Sequence, residues 1–149
     1  MKNWLALILG LPTANATERM RAWRALKASG AAVLRDGVYL LPDTSACREA
    51  LTSVERDILA INGTAYLLPV VDPNGERFIE FFDRKDDYTK LGGEIEGCRE
   101  QLNAENALAT TKQIRKLRKA YDQIASIDYF SGEPKHQIDL ALQELETAV

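Results

Sequence analysis

Asp36-Gly37 stands between two short apolar runs, Ala31 to Arg35 and Val38 to Leu41. That dipeptide is a strong two-residue hairpin signal, because the favoured turn needs positive φ at both of its central residues. A tight hairpin fixes its two strands as antiparallel neighbours, and the flanking segments then have few places to go. Immediately upstream, the segment from Glu18 to Ala28 reads as a basic amphipathic helix stopped by Ser29-Gly30, glycine being favoured just past a helix end. Before it, Trp4 to Leu11 is a continuous apolar run, the pattern of a strand buried on both faces. Pro12 closes that run, and Thr13 or Asn15 is placed to cap the helix. Downstream, Pro42-Asp43-Thr44-Ser45 offers caps for a second helix, which repeats Leu51, Val54, Ile58 and Ile61 and ends at Asn62-Gly63. Thr64 to Val71 is then a strand, closed by Asp72-Pro73-Asn74-Gly75.

The order over residues 4–71 is therefore β-α-β-β-α-β. It predicts an α+β chain whose core is a ferredoxin-like four-stranded antiparallel sheet with both helices on one face. In the first helix Met20, Trp23 and Leu26 recur at spacings of three, which predicts one apolar stripe with Trp23 facing the core. Arg21 and Arg24 fall on the other side and Lys27 at the boundary. Arg19 lies close to the stripe, so it is expected to snorkel or to pair with a buried carboxylate.

Beyond Gly75 the period changes to a helical one. The division expected is residues 1–75 for the sheet and 76–149 for a helical extension packed on it. Phe78, Ile79, Phe81 and Phe82 form an aromatic cluster suited to plug the sheet. Tyr88, Leu91, Ile95, Cys98 and Leu102 make a heptad-like seam. Gly92, Gly93 and Gly97 weaken that helix unless close packing compensates. After a break at Asn103, Ile114, Leu117, Tyr121 and Ile124 repeat the spacing, predicting an antiparallel helical hairpin. A last helix follows Pro134 with Ile138, Ala141, Leu142 and Leu145. The exposed parts of these seams suit dimerisation, and a homodimer is expected.

Composition narrows the function classes. With 149 residues the chain is long enough to bury a core without disulfides. Its net charge of −3 argues against a protein that coats nucleic acid indiscriminately, although a local basic patch is compatible with it. Cys47 and Cys98 lie in helical segments with no ligand-like spacing and read as small buried hydrophobes. His136 is the single histidine, so no multi-histidine metal site and no serine-type triad is available. Neither a phosphate loop, a dinucleotide fingerprint nor a zinc motif occurs. The N-terminal apolar run is too short for a signal peptide and no run is long enough to span a membrane. A cytoplasmic protein without enzymatic activity, cofactor or metal is expected.

Two basic clusters carry the chemistry. The first is Arg19, Arg21, Arg24 and Lys27, with Arg35 on the hairpin. The second is Lys112, Arg115, Lys116, Arg118 and Lys119. Guanidinium forks suit phosphate oxygens and position a protein on DNA without reading its sequence. Charged helix faces are more often merely solvated, and the second cluster alternates with Gln113, Ile114 and Leu117 as any surface helix would. Asp83, Asp86 and Asp87 read as the acidic first turn of the next helix rather than as a cation site.

Three stretches carry a family resemblance. These are Leu9-Gly10-Leu11-Pro12-Thr13 with Ala16 to Leu26, Gly30 to Pro42, and the later Phe82-Asp83-Arg84, Asp87-Tyr88 and Asp128-Tyr129-Phe130-Ser131-Gly132. Together they resemble the N-terminal domain of the ChrB family of bacterial chromate-resistance regulators. The resemblance implies a DNA-binding domain acting at the promoter of a chromate-efflux operon, with the arginine-rich helix as the contacting element and chromate as effector. It also implies that sensing belongs to a second, C-terminal domain. More distantly, the core is similar to the second domain of PaaX-type repressors and to the small CRISPR adaptation nuclease. The latter carries a metal-binding aspartate at the end of its first strand, where this chain has Gly10-Leu11-Pro12, so nuclease activity is not expected. An oxyanion-binding or protein-interaction module is the alternative. A metal-dependent nuclease using Asp36 or Asp83 ranks last.

Overall fold

The computed structural model describes residues 3–11, 16–103 and 105–149. Pro12 as strand end, and Thr13 or Asn15 as helix cap, lie outside the described residues. The order is β1 (Asn3–Gly10), α1 (Ala16–Ala28), β2 (Ala32–Arg35), β3 (Val38–Pro42), α2 (Ser45–Ala60) and β4 (Thr64–Val71). A 3-10 turn (Ile79–Phe82) and three helices follow, α3 (Lys85–Glu100), α4 (Ala107–Ser126) and α5 (Glu133–Thr147). The chain is thus α+β and divides into two compact units, Met1–Phe82 and Asp83–Val149.

In the first unit four antiparallel strands run in the order β2-β3-β1-β4, so β3 lies between the two strands joined by α1. Asp36-Gly37 makes the hairpin, and only glycine fits at the second position. Gly37 has φ +79°, and a Cβ there would lie 2.8 Å from the Leu9 carbonyl oxygen. The Leu9 N–H donates to the Gly37 carbonyl at 2.7 Å, tying the turn to the neighbouring strand. Thr44 caps α2 by accepting from the Cys47 N–H at 3.1 Å.

Both first-unit helices end in the same six-residue closure. After α1 the Gly30 N–H donates to Lys27 and the Ala31 N–H to Leu26; after α2 the Asn62 N–H donates to Leu59 and the Gly63 N–H to Ile58. The left-handed residue of the second closure is Asn62, with φ 63°, rather than the glycine beside it.

Leu5 and Leu7 of β1 and Leu41 of β3 are fully buried on one face of the sheet. Val33 and Tyr39 share that face by register and meet α1, which packs beside α2. On the opposite face the Trp4 ring stacks on Phe82 at 5.5 Å and meets the edge of Phe78 at 5.8 Å. These aromatics draw residues past Gly75 into the first unit and place its end at Phe82. Burial on both faces of β1 holds from Trp4 to Leu7; Ile8 is exposed.

Trp23 does not face the core. It is 40% exposed and Met20 48%, while α1 buries Ala22 and Leu26 instead. A spacing of three turns a stripe steadily around a helix, whereas the i, i+4 pair stays on one side. The small Ala22 side chain lets that side approach its neighbours.

The second unit is a three-helix assembly. Its seams face one another: Tyr88, Leu91, Ile95 and Cys98 of α3, Ile114, Leu117 and Tyr121 of α4, and Leu142 and Leu145 of α5 form one buried cluster. Asp87 and Leu91 of α3 lie near Gln123 and Ile127 of α4, while Cys98 and Gln101 lie near Asn106 and Thr110, so α3 and α4 run antiparallel. The apolar seams expected to be left for dimerisation are therefore largely consumed within the chain. Gly92 lies against Ile138, where a Cβ would approach Cδ1 at 3.0 Å, whereas Gly93 and Gly97 face open space. Asp83 accepts from the Lys85 N–H at 2.9 Å and Asp86 and Asp87 occupy the first turn of α3, the role expected of that acidic segment.

Candidate nucleic-acid interface

The cations of α1 do not converge. Arg19 lies on the side of the helix toward the hairpin, where it lines a groove with Met20 and Trp23. Arg21 lies toward α2 and pairs with Glu18 across one turn at 3.5 Å, with its side chain 68% exposed. Arg24, Lys27 and Arg35 are exposed. None of Arg19, Arg24, Lys27 and Arg35 makes an ion pair among the described residues. Arg19 thus meets no buried carboxylate among the described residues; it is exposed and borders an open groove beside Met20 and Trp23.

That groove measures about 550 Å³. Its floor is the end of β1 at Leu9, Gly10 and Leu11, one wall is α1, and the other is the hairpin with Val33, Asp36 and Tyr39. Burial first, and then the Asp36 carboxylate, push the Tyr39 phenol above its usual pKa, so it remains a neutral hydroxyl donor. The Trp23 indole is the groove feature that a search for charge overlooks. The available signal was Trp23 standing between two arginines, Arg21 and Arg24.

On α4 the second cluster separates into two roles. Lys112, Arg115, Lys116 and Lys119 are exposed and make no ion pair among the described residues. At 100° per residue they fall within an arc of roughly 100°. Arg118 points the other way. It donates to Asp139 at 2.8 Å and to both carboxylate oxygens of Glu146 at 3.1 and 2.6 Å, and its guanidinium lies 5.2 Å from the Tyr121 ring centre. The Glu146 hydrogen bonds, reinforced by those to Asp139, hold its pKa above the ordinary arginine value despite partial burial. Its fork is fully engaged in joining α4 to α5.

The later landmarks of the chain also prove to meet. The Tyr88 hydroxyl donates to Asp128 at 2.8 Å, and Arg84 Nε donates to the Ile127 carbonyl at 3.4 Å. Burial, then the bond to Asp128, raise the Tyr88 pKa strongly. Among the described residues no three His, Cys, Asp or Glu side chains gather as a metal ion would require. No helix among them is long and apolar enough to cross a membrane.

Comparison with known proteins finds a family model, Protein ChrB, N-terminal, matching residues 19–149. The chain is 31% identical to Protein ChrB of Cupriavidus metallidurans over an alignment covering 98% of this chain and 46% of that protein. It therefore spans about half the length of this curated relative. No solved structure matches. With the family model covering most of its length, the chain belongs to the ChrB N-terminal family.

Proposed function

We propose that this chain is the DNA-binding part of a ChrB-type regulator of chromate resistance, acting at the promoter of an efflux operon. The observation that carries the reading is the set of exposed basic side chains without carboxylate partners among the described residues, in a chain of net charge −3. On α1 and its hairpin these are Arg19, Arg24, Lys27 and Arg35, with Arg21 held only by an exposed pair to Glu18. On α4 they are Lys112, Arg115, Lys116 and Lys119. An acidic chain that leaves such cations unmatched favours a polyanion as their partner.

Within each helix the cations are spread, around α1 and over an arc of roughly 100° on α4, instead of meeting at one point. That arrangement favours an extended polyanion over a single chromate or other oxyanion. Chromate then acts on the whole regulator, with sensing supplied by the second domain that family resemblance implies. Phosphate contacts of this kind position the protein; base readout is a separate matter.

The test is binding of a chr promoter duplex as a function of salt. Changing both Arg21 and Arg24 to alanine is expected to lower the slope of log K against log salt by about 0.9 for each phosphate contact removed. A Lys112, Lys116 and Lys119 triple alanine variant measures the α4 surface in the same way. Unchanged affinity and slope in both variants would overturn the assignment.

A further inference from the structure

Trp23 is a large aromatic left 40% exposed; with Arg19, which makes no ion pair among the described residues, it lines the groove of about 550 Å³. Met20 at 48% and Val33 at 46% exposure extend the apolar lining, and Tyr39 stands opposite Val33 on the neighbouring strand. Exposing this much apolar surface costs stability unless something covers it, because each such side chain could be buried with gain. The groove is large enough for one nucleotide. Its composition is also unusual for a plain apolar cleft. It pairs an aromatic surface and a cation with the single carboxylate of Asp36 on the opposite wall.

We propose that this groove takes one unpaired nucleotide, its base stacked on Trp23, its phosphate at Arg19 and its exocyclic amine directed to Asp36. The inference rests on the DNA-binding reading above and names the class of nucleic acid that this surface prefers. Arg35 precedes Asp36 on the same hairpin and is exposed. Stacking is sequence-tolerant, since every base presents a π face, and a guanidinium beside the ring suits the backbone. A carboxylate accepts from the amines of cytosine, adenine or guanine but finds no exocyclic amine on thymine. The groove therefore favours amine-bearing bases over thymine.

The charge of the groove selects this occupant. An anionic ligand without a donor would meet Asp36 unfavourably, and a purely apolar one would leave Arg19 unused. A base with its phosphate satisfies both walls. The free nucleotide and the unpaired strand share this chemistry, and the strand gains further phosphate contacts at Arg24, Lys27 and Arg35.

The experiment uses the full chain and three probes, namely labelled oligo-dC, labelled oligo-dT and the mononucleotide dCMP, with the fully paired promoter duplex in parallel. Oligo-dC is expected to quench tryptophan emission, because Trp4 is buried against Phe82 and Trp23 is the accessible indole. Anisotropy should show Trp23→Ala losing about tenfold or more in oligo-dC affinity, with Trp23→Phe restoring most of it. Asp36→Ala, which removes the acceptor, should abolish the preference for dC over dT while leaving dT binding in place. Quenching by dCMP alone, with no gain for the oligonucleotide, would assign the site to free nucleotides and overturn the strand. If the duplex binds with steep salt dependence but oligo-dC binds no better to wild type than to Trp23→Ala, this inference fails and the DNA-binding reading stands. If the duplex does not bind while oligo-dC binds through Trp23, the reverse holds.

Discussion

Two helices carry most of the clustered positive charge, and they are built differently. α4 runs for 20 residues and buries Thr110, Ile114, Leu117 and Tyr121 along one side, leaving its lysines on the other. α1 has 13 residues, buries only Ala22 and Leu26, and leaves Met20 and Trp23 in solvent among its arginines. On α4 hydrophobic and basic residues are largely separated, as on any amphipathic surface helix, apart from the exposed Leu108 and the partly buried Arg118 against Tyr121. On α1 they are mixed. Exposed charge is common to both helices; a half-exposed aromatic beside the charge is peculiar to α1, since Tyr121 of α4 is buried.

Core truncations test this contrast most strongly. Leu117→Ala on α4 and Leu26→Ala on α1 should each cost about 2–5 kcal/mol, since both side chains are almost fully enclosed. Trp23→Ala, by contrast, should change the unfolding midpoint little. A loss comparable to Leu26→Ala in chemical denaturation would show that α1 does rest on its tryptophan, and the contrast would break.

The pH dependence of the helical unit comes next. Tyr88 has its folded pKa raised well above the ordinary tyrosine value of about 10, first by burial and then by its bond to Asp128. The folded state therefore holds a proton that the unfolded chain releases above about pH 10, and the stability this provides is complete below that pH. It falls as pH rises further, by up to about 1.4 kcal/mol per unit. Thermal unfolding followed from pH 9 upward should show Tyr88→Phe flatter than wild type.

The smallest effect separates neighbours on one helix. Arg118→Ala should destabilise by about 1 kcal/mol, because it strands Asp139 and Glu146, whereas Lys116→Ala should stay within about 0.5 kcal/mol. Equal stability of the two variants in urea would mean that the clasp contributes nothing measurable.

Much of the fold was legible because its signals are local. Asp36-Gly37, Ser29-Gly30 and Asn62-Gly63 each demand a specific backbone conformation, and each occurs where the strand–helix alternation needs it. The bounds of β4 follow from an apolar run between two turns. Long-range choices were less visible. A spacing of three among Met20, Trp23 and Leu26 masked the tighter pair made by Ala22 and Leu26, since alanine adds little to any hydrophobic count. The engagement of Arg118 depends on Asp139 and Glu146, a separation that no local pattern reports. The meeting of Tyr88 with Asp128 is hidden for the same reason, although both residues stand in segments that carry the family resemblance.

The closure of α2 has a chemical consequence as well as a mechanical one. An asparagine followed by glycine is the dipeptide most prone to deamidate, because the unhindered glycine nitrogen attacks the asparagine side-chain carbonyl. Here the Gly63 N–H is already donated to the Ile58 carbonyl at 3.0 Å, and Asn62 is held at φ 63°. Ageing at this site is thereby coupled to unfolding, and peptide mapping should find it faster in denaturant than in the native chain.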